Sequence, residues 1–163
     1  MSEPTAFGLS KLFTQLAGRK VSFSQATAVP ETKTKQIYGI YNLPPDEIVI
    51  IVKADLPLIS SFAGVLVGLP DVAVKERIGT NPLDELLRDA IHEVLNIVSA
   101  SIATEGRAVL TKMVTDPAYL DGVAGSVYRK PGHRSNFNVQ IDGYQGGRFS
   151  VLSQIGVVRV VRP

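Results

Sequence analysis

The sequence predicts an α+β fold: a largely antiparallel β-sheet with two long helices packed against it. Three observations carry that reading. Helical and strand patterns do not alternate along the chain, which runs helix, three strands, two helices and three strands. The C-terminal strands form a hairpin pattern, with Asn136–Asp142 and Phe149–Leu152 on either side of the glycine-rich Gly143–Gly147. Residues 81–104, NPLDELLRDAIHEVLNIVSASIAT, hold the longest helical periodicity in the chain.

At 163 residues the chain suits one domain spanning 1–163, with residues 1–6 as a flexible lead. Apolar residues make up 45% and charged residues 20%, the balance of a globular protein. With no cysteine, disulfides and thiolate chemistry are excluded, and a cytoplasmic location is expected. The N-terminus lacks the basic and apolar regions of a signal peptide. The most apolar stretch, Ile48–Leu69, is interrupted by Lys53, Asp55, Pro57, Ser60 and Ser61, so no membrane span is expected.

Phe7–Gly18 places Leu9, Leu12, Phe13 and Leu16 at helical spacing, with Gly18 as its stop. Val21–Ala26 alternates as a short strand. Past Pro30, Thr34–Leu43 reads as a second strand, and Pro44-Pro45-Asp46 as a turn. The apolar run Ile48–Val52 has the length of a central strand covered on at least one face.

Leu56–Gly68 follows as a helix, with Asp55 as its cap, Pro57 in its first turn, and Ile59, Phe62, Ala63, Leu66 and Val67 on one face. Residues 71–80 form a polar connector with room for one helical turn. The principal helix then opens on Asn81 as cap and Pro82 at the first position, with Gly106 just beyond its end. Val109–Thr115 is a strand closed by Asp116-Pro117, and residues 118–135 form a long polar excursion. Ile155–Val161 continues or adds to the final strand.

At 100° per residue the principal helix divides cleanly. Leu83, Leu87, Ala90, Ile91, Val94, Ile97, Val98 and Ile102 form the stripe that packs on the sheet. Glu85, Asp89, His92, Glu93, Asn96, Ala100 and Ala103 lie opposite. Asp89, Glu93 and Asn96 are spaced four and three apart and so are neighbours, and the two alanines let another backbone approach closely. Spacing alone favours an ordinary solvated face and leaves a partner-facing site open. Asn96 leans toward the second reading, because asparagine is a mediocre helix former placed far from either cap.

Asp89-AIH-Glu93-VL-Asn96, with Pro117 following after 20 further residues, resembles the signature of the CheC/CheX family of chemotaxis phosphatases. The resemblance extends from about Ile48 to Asp116, and more weakly to the final hairpin. The gap to Pro117 is shorter than the family's usual one. A single copy of the motif is present, as in the CheX-like layout, because the first helix holds no Glu-x-x-Asn.

The resemblance implies a CheC/CheX-like fold and a protein phosphatase in two-component signalling. Its partner would be the phosphorylated receiver domain of a response regulator. Asn96 would orient the attacking water, Glu93 would anchor the partner's lysine, and Asp89 and Ala100 would line the contact. The partner would bring Mg²⁺, so this chain needs no cofactor or metal of its own. A neutral carboxamide can accept from water and donate to phosphate, and acyl-phosphate hydrolysis depends chiefly on positioning and charge stabilisation. The alternative is a non-catalytic module of the same fold that docks on a receiver or another signalling protein. Members of the CheX-like group form dimers, so a homodimer through exposed strand edges is a further expectation.

Other chemistries fare worse. His92-Glu93-x-x-Asn96 lacks the second histidine of a zinc-protease motif, and the only other histidine is His133. No G-x-S-x-G elbow surrounds Ser99, Ser101 or any other serine. The glycines around Tyr144 sit in a hairpin rather than a phosphate loop. Net charge is +2, with 9 Lys/Arg against 12 Asp/Glu in residues 1–106 and 8 against 3 afterwards. The later cations (Arg107, Lys112, Arg129, Lys130, Arg134, Arg148, Arg159 and Arg162) read as solvated faces, so no nucleic-acid partner is expected.

Overall fold

A computed structural model describes residues 5–26, 34–44, 48–80, 83–102 and 108–154. In chain order the elements are α1 (Ala6–Ala17), β1 (Val21–Gln25), β2 (Gln36–Leu43), β3 (Ile48–Asp55), α2 (Leu56–Val67), α3 (Asp71–Ile78), α4 (Glu85–Val98), β4 (Val109–Val114), a 3₁₀ turn (Pro117–Tyr119), α5 (Gly122–Arg129), β5 (His133–Ile141) and β6 (Gly147–Ser153). Six strands form one sheet in the order β1-β5-β6-β3-β2-β4, and every neighbouring pair is antiparallel. This is the expected α+β architecture. The expectations at Pro30, Pro45-Asp46, Pro82, Ala103, Gly106 and Ile155–Val161 lie outside the described residues.

Alternation along the strands sorts their side chains into two cores. On one face, Ile37, Tyr41 and Leu43 of β2 and Ile50, Val52 and Ala54 of β3 meet α1, α2 and α4. On the other, Tyr38, Ile40, Val49, Ile51, Val114 and Leu152 lie under Val127 of α5 and Leu120 before it. β3 is therefore covered on both faces, which explains its unbroken apolar run.

α1 is tied to β1 by side-chain bonds: the Phe23 amide donates to Ser10 Oγ at 2.9 Å and the Val21 amide to Thr14 Oγ1 at 3.2 Å. Between the helices and the sheet, Phe13, Phe23, Phe62, Phe137 and Phe149 form one aromatic cluster. Its shortest centroid separation is 4.2 Å, between Phe13 of α1 and Phe62 of α2.

Several local expectations change. α1 begins at Ala6 with Thr5 as its cap, so residues 5 and 6, expected in a loose lead, belong to the start of the helix. Apart from half-buried Pro57, α2 is buried through its first two turns, Ser60 and Ser61 included, because neighbouring helices and the sheet enclose it; Leu66 and Val67 at its end are exposed. Asp55 stands at the N-cap of α2 as expected, but its carboxylate makes no capping hydrogen bond. Its carboxylate accepts instead from Gln36 Nε2 and from the Arg148 amide, joining β2, β3 and β6. The 71–80 connector contains a two-turn helix seated by buried Val74.

The polar excursion contains α5, whose sequence GVAGSVYR has little helical propensity of its own. Packing supplies the stability: Ala124, Val127 and Tyr128 rest on the sheet. Gly125 approaches the Leu120 carbonyl so closely that a Cβ would lie 2.7 Å from its oxygen.

Burial raises the ionisation of Tyr41 and Tyr38 well above the ordinary phenol value of 10. The folded state therefore holds protons that the unfolded chain releases above pH 10. Stability should be intact below that pH and fall as pH rises beyond it. In an alkaline titration followed by far-UV circular dichroism and tyrosinate absorbance, the buried tyrosines should ionise only as the helical signal is lost.

Candidate functional site

α4 is held at both ends and along one face. Asp84 is the cap, its carboxylate accepting from the Leu87 amide at 2.9 Å. The expected cap at Asn81 is three residues too early. Arg77, from the last turn of α3, reaches the same carboxylate oxygen at 3.2 Å and so links the two helices. Leu87, Ala90, Ile91, Val94, Leu95 and Val98 are buried. Leu95 seats the helix on β2: a Cβ added at Gly39 would lie 3.3 Å from both of its terminal methyls.

The opposite face carries the predicted residues. Asp89, Glu93 and Asn96 are all exposed within one helix, so the structure brings them together as neighbours. Among the described residues none of their side chains has a hydrogen-bond or ion-pair partner. Glu85, Asp89 and Glu93 follow at four-residue intervals, a like-charge row that costs an isolated helix a few tenths of a kcal/mol per pair. A face selected for helix stability would place lysine in that row.

Leu86, absent from the sequence-derived strip, lies on the same side, seven residues before Glu93, and is 47% exposed. Its signal was available in the sequence, since it falls outside the apolar stripe. Ile97, assigned to that stripe, is only half-buried and flanks the strip.

The helix stops at Val98 rather than running to Thr104, and its end is fully accounted for. The last four carbonyls of a helix lack intrahelical donors. Leu95 accepts from the Tyr41 hydroxyl at 2.5 Å, and Asn96 from both the Ser99 amide at 3.2 Å and Ser99 Oγ at 2.6 Å. Ile97 accepts from the Ala100 amide at 3.3 Å, and Val98 from the Ser101 amide and hydroxyl at 2.8 and 2.9 Å. The backbone has therefore tightened from α to 3₁₀ bonding immediately after Asn96. Ala100 is exposed in that turn, beyond the helix on which it was expected.

Among the described residues no group of three or more His, Asp or Glu side chains could hold a metal ion, and no helix is long and apolar enough to cross a membrane. Ser99 and Ser101 donate to helix-end carbonyls. The Tyr144 hydroxyl donates to the Leu69 carbonyl at 2.7 Å, binding the β5–β6 hairpin to the end of α2. Pro117 is exposed and opens the 3₁₀ turn after β4. Lys112 and Arg134 stand opposite Ile40 and Leu152 in their ladders, so they lie on the α5 side of the sheet, away from the acidic row of α4. Arg107, Arg159 and Arg162 lie outside the described residues.

No protein-family model matches the chain, and comparison with curated proteins finds no sequence match. Solved structures do match. The FliM middle domain of Vibrio alginolyticus is similar over 95% of this chain and 92% of its own, with a TM-score of 0.62 and 13% identity. Thermotoga maritima FliY is similar over 92% and 84%, with a TM-score of 0.58 and 14% identity. A FliM–SpeE complex from H. pylori contains a chain similar over 94% and 82%, with a TM-score of 0.64 and 10% identity. At such identities the likeness is one of fold: the chain has the CheC/CheX-like fold that FliM and FliY middle domains share.

The charge row gives a direct check. Glu93→Lys exchanges a repulsive pair with Asp89 for an attractive one and places a cation nearer the negative helix end. It should stabilise the protein by about 0.3–1 kcal/mol, read as a higher urea midpoint. A lower midpoint would show that Glu93 already has a structural partner.

Proposed function

We propose that this chain is a signalling docking module that binds the receiver domain of a response regulator through the exposed strip of α4. The observation that carries the proposal is the set Asp89, Glu93 and Asn96, held outward together and without partners among the described residues, on a helix whose other face is used in packing. Glu93 and Asp89 offer carboxylates to a basic side chain of the partner, and Asn96 offers a donor and an acceptor. Leu86 and Ala100 bracket them with an apolar end and a low end. The similar FliM chain that was solved together with SpeE supports protein docking as a use of this fold.

A second reading adds chemistry to docking. The Glu93-x-x-Asn96 spacing puts a carboxamide one helical turn from the anchoring carboxylate, the arrangement the CheC/CheX resemblance associates with hydrolysis. Asn96 would then orient a water toward the aspartyl phosphate, while the receiver's own Mg²⁺ and lysine supply charge stabilisation. Positioning is the only task this reading asks of the chain.

A panel of receiver domains, each free and phosphorylated, tests both readings. At least one phosphorylated receiver should bind, and Glu93→Ala should weaken that binding about tenfold, or 1.4 kcal/mol, without lowering the melting temperature. Failure of every receiver to bind would contradict the proposal. If phosphate loss also accelerates, Asn96→Ala should abolish the acceleration and leave binding largely intact; an unchanged rate would remove Asn96 from the chemistry.

A further inference from the structure

We infer that Tyr41 is a positioning residue for the end of the docking strip, fixing from the sheet-facing side of α4 the turn just after Asn96 that carries Ala100. The inference rests on the proposed role of that strip. Its basis is the order in which the terminal carbonyls of α4 find donors. In a continuing helix the Ser99 amide would bond the Leu95 carbonyl, four residues back. Here the Tyr41 hydroxyl occupies that carbonyl, and the Ser99 amide turns to Asn96 instead. Ser99 Oγ adds a second bond to the same Asn96 oxygen.

The chain thus changes from about 100° to about 120° of rotation per residue just after Asn96. The residues that follow, Ile97 to Ser101, close a tight turn that carries Ala100.

Tyr41 is well placed to enforce this. It is fully buried, and its backbone lies at the register shift between Ile40 and Tyr41, where β4 inserts Thr111 opposite β2. Thr111 Oγ1 fixes that irregularity by donating to the Ile40 carbonyl at 3.0 Å. Bulges of this kind re-aim neighbouring side chains, and here the neighbour reaches the helix end. Without the hydroxyl, a buried carbonyl would lack a donor, and the closest available one is the Ser99 amide. Its return to Leu95 would restore α-helical bonding past Asn96 and rotate Ala100 away from its present place beside the strip.

Tyr41→Phe tests the inference, with Tyr38→Phe as a control for removing a buried phenol hydroxyl on the other face of the same strand. Two properties are measured: through-hydrogen-bond NMR couplings of the Ser99 amide, and affinity for a phosphorylated receiver that binds the unmodified protein. In Tyr41→Phe the coupling should move from the Asn96 to the Leu95 carbonyl and affinity should fall about tenfold, while Tyr38→Phe should leave both unchanged. A coupling that stays on Asn96, or one that moves with no loss of affinity, overturns the inference. If no receiver binds the unmodified protein, the docking reading fails and the coupling alone decides whether Tyr41 sets the helix end. Should Tyr41→Phe not fold, Ser99→Ala removes a donor from the Asn96 carbonyl directly, and an unchanged affinity then counts against the inference.

Discussion

The seating of α4 on β2 is the constraint on which the rest of the structure depends. Gly39 leaves a space beneath Leu95 that any side chain would crowd, and Tyr41, two residues along the same face, reaches the Leu95 carbonyl. Together they fix the height, rotation and endpoint of the helix. Once Leu87, Ile91, Val94, Leu95 and Val98 are committed to the core shared with α2 and the sheet, helical geometry leaves Asp89, Glu93 and Asn96 facing solvent. The candidate site is thus a consequence of core packing, and it needs no strained backbone to present it.

The two sides of the sheet are used differently. Among the described residues, three helices close one side over a large aromatic and aliphatic core, and a single short helix covers part of the other. The acidic row of α4 lies on the first side, while Lys112 and Arg134 lie on the second. Such separation suits a domain that meets a basic partner surface with one face, because it keeps these two cations out of the contact. It also explains how a chain with a net charge of only +2 can offer a locally negative surface. The fold itself does not decide between docking and hydrolysis, since one architecture hosts many functions and the site must carry the argument.

Much of this was legible in the sequence, and the exceptions have physical causes. The apolar stripe of α4 follows from periodicity, as do the burial of β3 and the β5–β6 hairpin. The helix start was misplaced because Asn81-Pro82 carries strong local capping signals, whereas Asp84 is held by the Leu87 amide and by Arg77 from another helix. The early stop was hidden for a similar reason: it depends on a hydroxyl from Tyr41, 54 residues distant in the chain. α5 was missed because its glycines and short length speak against a helix until the sheet beneath it is known. Within the site, Asp89, Glu93 and Asn96 came from spacing and resemblance. Leu86 was legible as an apolar residue outside the stripe, but its place in the site rests on its exposure.

The central claim is that the α4 strip is the surface a receiver domain meets. Titrating the isotopically labelled protein with a phosphorylated receiver, and following backbone and Asn96 side-chain amide resonances, tests it most directly. The account predicts that the largest shifts fall on Leu86, Asp89, Glu93, Asn96 and Ala100, with α5 and the Lys112–Arg134 side undisturbed. Shifts concentrated on α5 or on β4, with the α4 strip silent, would contradict it.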